Sequence, residues 1–404
     1  MKQLQARLAL IILMLLLNVA LPGSARADAA ADEAYRKAFE AKFPRVNPAP
    51  SLAEYATVKR YNDMVLDENV DSVIAKLSNK GGGMAWGLSY RMVSLNEMAR
   101  HTKDPKYLAA NLRLTQGALA MRDDRTGLKL FDGRVAPAWS SDGYRKGEQA
   151  VFVVHTGMIV HPMLDAVYLG RQLPSVPAEL RRDLDATVPA LLESLACHED
   201  AWRDGPGEGE GHYIMLHEEQ SSEGKPQPGN RLGAMGRAQY AAYRVTKDQK
   251  YLDRTRALAR YVERRLQVSD AGAYCWPYWL PLERVKPGEP ITDKPEDTSH
   301  GGLTMAFPAM LAEDGEVFTA EHMKRFGKTV TQGVGRLGDG VLLGDVGGSP
   351  TSKPERVSST AVMWLQLVPY APEVRERIVP FYLNHKPAAT PWELAYLIRY
   401  GAAN

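Results

Sequence analysis

The chain has 404 residues, with Lys+Arg 50 against Asp+Glu 48 and a net charge of +2. A balance this even argues against a nucleic-acid protein, while a local basic groove for an acidic ligand stays compatible with it. The length allows two domains, though single rings and barrels of this size are common, and with only two cysteines, Cys197 and Cys275, this is no disulfide scaffold.

The N-terminus reads as an export signal. Lys2 and Arg7 precede an apolar run from Leu8 to Leu21, and Ala25-Arg26-Ala27 forms a small-x-small site, so cleavage is expected after Ala27. The run is short for a membrane span, and no later stretch approaches that length. The expectation is a periplasmic or secreted protein comprising one domain over 28–404, with no membrane contact after signal cleavage.

From Asp28 to about Asn79 the pattern is amphipathic and helical. After Gly81-Gly82-Gly83, Trp86, Tyr90, Met92, Leu95 and Met98 recur at spacings near three and four, a helix period. Thr102-Lys103-Asp104-Pro105-Lys106-Tyr107-Leu108 returns as Thr246-Lys247-Asp248-Gln249-Lys250-Tyr251-Leu252. Each copy lies between two helical stretches and reads as a short turn in which Thr and Asp satisfy backbone donors. The interval leaves room for about three helix pairs of roughly 45–50 residues each. A fainter echo occurs at Val317-Phe318-Thr319-Ala320-Glu321-His322.

Between the copies come Ala150 to Leu169, with His155 and His161, and then a helical stretch from Leu180 to Ala196. The polar segment from Asp200 to Asn230 follows, carrying His212, Tyr213, His217, Glu218 and Glu219. A segment of this length inside a compact domain favours a functional loop. Helices are expected over Leu232–Arg244, Tyr251–Leu266, Leu303–Glu313, Ala320–Leu337 and Val357–Leu367, then a C-terminal pair. Alternation at period two is almost absent, so the fold class is all-α, an array of antiparallel hairpins. Small residues among apolar ones in Leu232–Ala242 and Leu303–Leu311 suit crowded inner helices, and long aromatic loops just before them suit a substrate rim. That combination predicts an α/α toroid.

The chemistry is expected to gather between Cys275 and Phe307. Trp276, Tyr278 and Trp279 fall within four residues, and Glu296, Asp297, Ser299 and His300 precede the next helix. Acids and hydroxyls there serve as caps, but His300-Gly301-Gly302 adds a titratable group beside an approachable backbone. These stretches, together with Pro228-Gly229-Asn230-Arg231-Leu232-Gly233-Ala234-Met235-Gly236-Arg237-Ala238 and the turn that follows it, resemble bacterial α/α-toroid enzymes acting on uronic-acid polysaccharides. That group includes toroidal polysaccharide lyases and the helical domain of glucuronyl epimerases. The chain departs from the Asn-Asn-His signature of some alginate lyases, having a single Asn before Arg231.

The resemblance implies a polysaccharide lyase that cleaves an acidic polysaccharide by β-elimination, with no cofactor. Removing the carbon-5 proton of a uronate requires its carboxylate to be neutralised, together with a base and an acid for the leaving oxygen. Asn230 and Arg231 are candidate neutralisers, His300 neutraliser or base, and Tyr278 base or acid. Trp276, Trp279 and Trp86 offer faces for sugar rings, with His155 and His212 as further binding candidates. In the alternative, a glycoside hydrolase, Glu296 or Asp297 pairs with Glu218 or Glu219. A uronate epimerase and a non-catalytic glycan-binding protein of polysaccharide export are the other readings. The His212–Glu219 cluster lacks the spacing of a zinc helix, so no metal is expected.

Overall fold

The computed structural model describes residues 29–66, 68–218, 222–286, 293–358, 360–386 and 388–402. The export signal and Glu219 lie outside the described residues. Fourteen helices organise the chain among the described residues: α1 (Ala29–Lys42), α2 (Val58–Val65), α3 (Glu68–Ile74), α4 (Ser89–Thr102), α5 (Lys106–Ala120), α6 (Val153–Gln172), α7 (Ala178–Asp185), α8 (Val188–Ala196), α9 (Gly229–Thr246), α10 (Gln249–Glu263), α11 (Thr298–Ala312), α12 (Ala320–Thr329), α13 (Val374–His385) and α14 (Pro391–Tyr400), setting aside shorter single turns. A 3₁₀ segment, Ala361–Leu367, stands in sequence between α12 and α13.

The ring closes. α4 packs on α6, α6 on α9, α9 on α11, α11 on the 3₁₀ segment, that segment on α14, and α14 back on α4. Outside it, α5 covers α4, α7 and α8 cover α6, α10 covers α9, α12 covers α11, α13 covers the 3₁₀ segment and α2 covers α14. The protein is therefore an α/α toroid of inner and outer helices.

Burial follows from composition. α6 buries every residue from Val153 to Val167, whereas α10 buries one face, Leu252, Thr255, Leu258, Ala259, Tyr261 and Val262. A helix apolar on most sides belongs inside, and an amphipathic one belongs on the outer ring. Glycines allow the inner helices to touch: a Cβ on Gly157 of α6 would lie 2.6 Å from the Met235 amide nitrogen of α9, and one on Gly236 would lie 2.6 Å from Phe307 Cζ of α11.

The repeated turns form as their residues require. In both copies a lysine takes the left-handed conformation, Lys103 at φ 61° and Lys247 at φ 59°. The Thr102 and Thr246 hydroxyls accept from the amides of Asp104 and Asp248, whose carboxylates accept from those of Lys106 and Lys250. The echo at Val317 is also a turn, leading from α11 into α12, with Thr319 capping the latter. Each turn leaves the C-terminal end of an inner helix. Long connections enter the N-terminal ends instead, and their small β pieces, Trp202–Asp204 with Gly211–Tyr213 and Gln267–Val268 with Tyr274–Cys275, lie among these loops.

Some expected helices are shorter than their pattern. Leu180–Ala196 divides into α7 and α8, with Pro189 in the first turn of α8. Ala320–Leu337 gives way at Val330 to a π-turn, and Val357–Leu367 is replaced largely by the 3₁₀ segment.

Candidate functional site

Three cavities meet at His300 on the rim where the inner helices begin. The first, about 570 Å³, lies between Trp86, Tyr90, Tyr144, His300, Thr360 and Trp392. It is bounded by the leading ends of α4, α11, the 3₁₀ segment and α14. The second, about 720 Å³, is lined by Tyr278, Trp279, Leu282, Lys294, Asp297 and His300. The third, about 570 Å³, is lined by Asp297, His300, Asp345, Lys294, Lys353 and Arg356.

Asp297 is the N-cap of α11. Its Oδ1 accepts from the Ser299 and His300 amides at 3.0 Å each, and its Oδ2 lies 2.5 Å from His300 Nδ1. One carboxylate thus both starts the helix and orients the imidazole, leaving Nε2 as the ring atom open to a ligand. Burial disfavours the charged imidazolium, but the hydrogen bond and charge of Asp297 outweigh it and raise the His300 pKa. Asp297 experiences the mirror image: burial would raise it, and His300 with the two amides holds it below the usual carboxylate range.

Tyr278 meets His300 edge to face, with ring centroids 5.2 Å apart, and its carbonyl accepts from the Gly229 amide at 3.4 Å, tying this loop to the start of α9. Burial raises the phenol pKa, against the opposing field of Arg231. Arg231 lies with Nη1 3.4 Å from both Glu218 Oε1 and Gln227 Oε1, and its guanidinium sits 4.4 Å above the Tyr144 ring. Its charge is therefore already paired. Trp86 and Trp279 face cavities, and Trp279 is 41% exposed.

Other expected residues lie elsewhere. Trp276 has no exposure: its indole N–H donates to Glu296 Oε2 at 2.5 Å and its ring packs on Phe326 and Trp364, so it offers no face to a sugar. Glu296 is equally enclosed, accepts also from Thr304 Oγ1 at 2.7 Å, and has its pKa pushed up to about 7 by burial. It supports the loop from beneath and lines none of the three cavities. His212 belongs to the Gly211–Tyr213 strand, stacks on Tyr261 of the outer helix α10 at 4.8 Å, and lines none of these three cavities. Asn230 falls inside the first turn of α9, with Pro228 as N-cap, and is 2% exposed with an unpartnered Oδ1. His155 is 1% exposed, walled by Trp86, Tyr144 and Phe152, with neither ring nitrogen partnered.

Asp345 is a site residue that sequence reasoning passed over. Its backbone pairs with that of Asp297 in an antiparallel bridge, and its Oδ1 accepts from the Gly347 and Ser349 amides at 2.9 and 3.1 Å. Burial raises its pKa against these amides. Its only sequence signal was the Gly-rich context from Gly338 to Gly348, which a turn explains equally well. Tyr90, Tyr144 and Trp392 were also passed over, being ordinary helix and loop aromatics until the ring closes. Both cysteines are free. Among the described residues, no three His, Cys, Asp or Glu side chains are placed to hold a metal ion.

No protein-family model matches the chain, and no curated protein matches it. Among solved structures it is similar to the GH76A alpha-1,6-mannanase from Salegentibacter sp. HEL1_6, at 14% identity over 87% of this chain and 98% of that one, with a TM-score of 0.48. It is similar also to a D-mannose isomerase, at 13% identity over 78% and 85% with a TM-score of 0.45. A family 76 glycoside hydrolase from a bovine Bacteroides thetaiotaomicron strain follows, at 13% identity over 78% and 68% with a TM-score of 0.42. None of these three is named as a uronate enzyme, and likeness at this level says nothing about substrate or reaction.

Proposed function

We propose that the protein is an exported glycoside hydrolase acting on an acidic polysaccharide, with Asp345 as proton donor and Asp297 as the ionised partner oriented by His300. The observation that carries this reading is the pair of aspartates: both line one cavity, and their environments push their pKa values in opposite directions. Glycoside hydrolysis needs that division, a carboxylic acid for the leaving oxygen and a carboxylate for water or the anomeric carbon. Directly opposed residues of an antiparallel pair place their Cβ atoms about 4.5–5.5 Å apart on one face. Carboxyl groups starting from that spacing can reach the separations of about 5–9.5 Å that glycosidases use.

Aromatic residues on two sides of His300, Trp86, Tyr90 and Trp392 in one cavity and Tyr278 and Trp279 in the next, suit successive sugar rings. Lys294, Lys353 and Arg356 around the third cavity suit an acidic substituent. The export part of the proposal rests on the first 27 residues, and N-terminal sequencing of the mature protein should begin at Asp28.

A second reading, β-elimination on a uronate, is favoured by one observation: the Tyr278, His300 and Asp297 chain, with Arg231 close enough for its field to act on Tyr278 and His300. Incubation of purified protein with a panel of acidic and neutral polysaccharides separates the two. The hydrolase raises reducing ends without the ultraviolet absorbance of an unsaturated uronate, whereas a lyase raises both. Proton exchange at carbon 5 without cleavage would mean an epimerase, and binding without any of these a non-catalytic glycan-binding protein.

A further inference from the structure

Beneath the first cavity, the interior of the ring is polar. Glu97 and Arg100 of α4, His161 and Asp165 of α6, Arg237 of α9 and Tyr396 of α14 surround a small cavity of about 40 Å³. Its carboxylates are already committed. Arg100 pairs with Asp165 and with Glu97, and Glu97 also receives Arg399. Arg244, which also lines the cavity, holds Glu313 at 3.0 Å and Asp314 at 2.8 Å.

Arg237 is left over. It is 5% exposed, and among the described residues no carboxylate lies within ion-pair distance of it. The acceptor of its Nη2 is the Met158 thioether at 3.4 Å, and its Nε has no partner. Sulfur is a weak acceptor, and a guanidinium cannot shed its proton to escape burial. Buried charges are ordinarily paired because desolvation is otherwise uncompensated. Across the same cavity His161, 8% exposed, has an unpartnered Nδ1. Burial, reinforced by Arg237, keeps this imidazole neutral, and a neutral imidazole still has one N–H to donate.

We propose that this cavity binds a monovalent anion of halide size, chloride in ordinary solutions, between the Arg237 guanidinium and the His161 imidazole. The volume suits one such ion or a few waters and excludes a sugar or a larger oxyanion. The ion supplies the acceptor that Arg237 Nε lacks, because Asp165, whose charge acts on Arg237, is bonded to Arg100 instead. This site is separate from the reaction proposed above and does not depend on it.

The test uses the whole protein, exchanged into sodium gluconate and titrated with sodium chloride or bromide at constant ionic strength while thermal unfolding is followed. The expected result is a saturable rise in Tm of several degrees with either halide, as ligand binding to the native state requires. Arg237→Met, similar in length and uncharged, is expected to abolish that dependence. If this variant does not fold, bromide-soaked wild-type crystals decide, with an anomalous peak expected within hydrogen-bond reach of Arg237. A Tm indifferent to the exchange of gluconate for chloride, or crystals showing only water beside Arg237, would overturn the proposal.

Discussion

Asp297 performs several tasks with one carboxylate, capping α11, holding the Nδ1 side of His300, and facing two cavities. Asp345 is fastened by the Gly347 and Ser349 amides and by the Ser349 side chain. The two should respond differently to the same isosteric change. Asp345→Asn is expected to lower kcat by about 10²–10⁴-fold, the usual worth of a positioned proton donor, with Tm nearly unchanged. Asp297→Asn should lower kcat and Tm together, since it removes the charge that holds the imidazole. Equal rates for wild type and Asp345→Asn would remove Asp345 from the mechanism.

Glu296 gives a pH prediction with a definite sign. Burial raises its folded pKa to about 7, above an unfolded value of about 4.3. Its contribution is therefore fully present below about 4.3 and is lost as pH rises through about 7. Glu296→Gln, which imitates the protonated carboxyl and keeps an acceptor for Trp276 and Thr304, should leave Tm little changed at pH 5 and raise it relative to wild type at pH 8. This residue also marks a limit of sequence reading. Glu296 and Asp297 are neighbours with the same chemistry, yet one is enclosed and the other faces the cleft, because the chain enters a helix between a buried strand bridge and an open rim.

At the scale of elements, the inner helices depend on glycine for contact rather than flexibility. On Gly157→Ala the new Cβ would meet backbone atoms of Ala234 and Met235 at 2.6–2.7 Å, whereas on Gly236→Ala it would meet the Phe307 ring at 2.6–2.9 Å. Backbone cannot give way and a ring can shift a little. Both changes should destabilise, Gly236→Ala by about 1–3 kcal/mol as overpacking does, and Gly157→Ala by more. Denaturant titration measures the difference, and the reverse order would mean that the α6–α9 contact is the softer one. The repeated turns were readable from sequence because their chemistry is local: Thr, Asp and a left-handed lysine need only near neighbours. The splitting of Leu180–Ala196 was less readable, since the apolar pattern runs on through Pro189.

At the scale of the molecule, ring closure brings Trp86, Tyr144, His300, Thr360 and Trp392 to one mouth from widely separated stretches. Lys294 and Lys353 reach the third cavity from two loops, and Arg356 from the short helical turn Pro354–Ser358. Replacing Lys294 and Lys353 together by Ala should weaken binding of an acidic glycan and leave a neutral one unaffected, and the wild-type preference should fade with added salt, because exposed charges are screened beyond about 10 Å at 0.1 M. Calorimetry on matched acidic and neutral oligosaccharides checks both. Among the described residues no helix is long and apolar enough to cross a membrane.

The sequence by itself determined the all-α class, the inner character of Leu232–Ala242 and Leu303–Leu311, the repeated turns, and the loops from which Tyr278, Trp279, Asp297 and His300 reach the rim. Those properties follow from residue periodicity and short-range hydrogen bonding, which are written along the chain. Tertiary structure alone decided that Trp276 and Glu296 lie beneath the site, that His212 stands apart from it, and that Asp345 pairs with Asp297. Whether a side chain faces a cavity or a neighbour depends on where the closing ring carries it, and no local pattern encodes that distance.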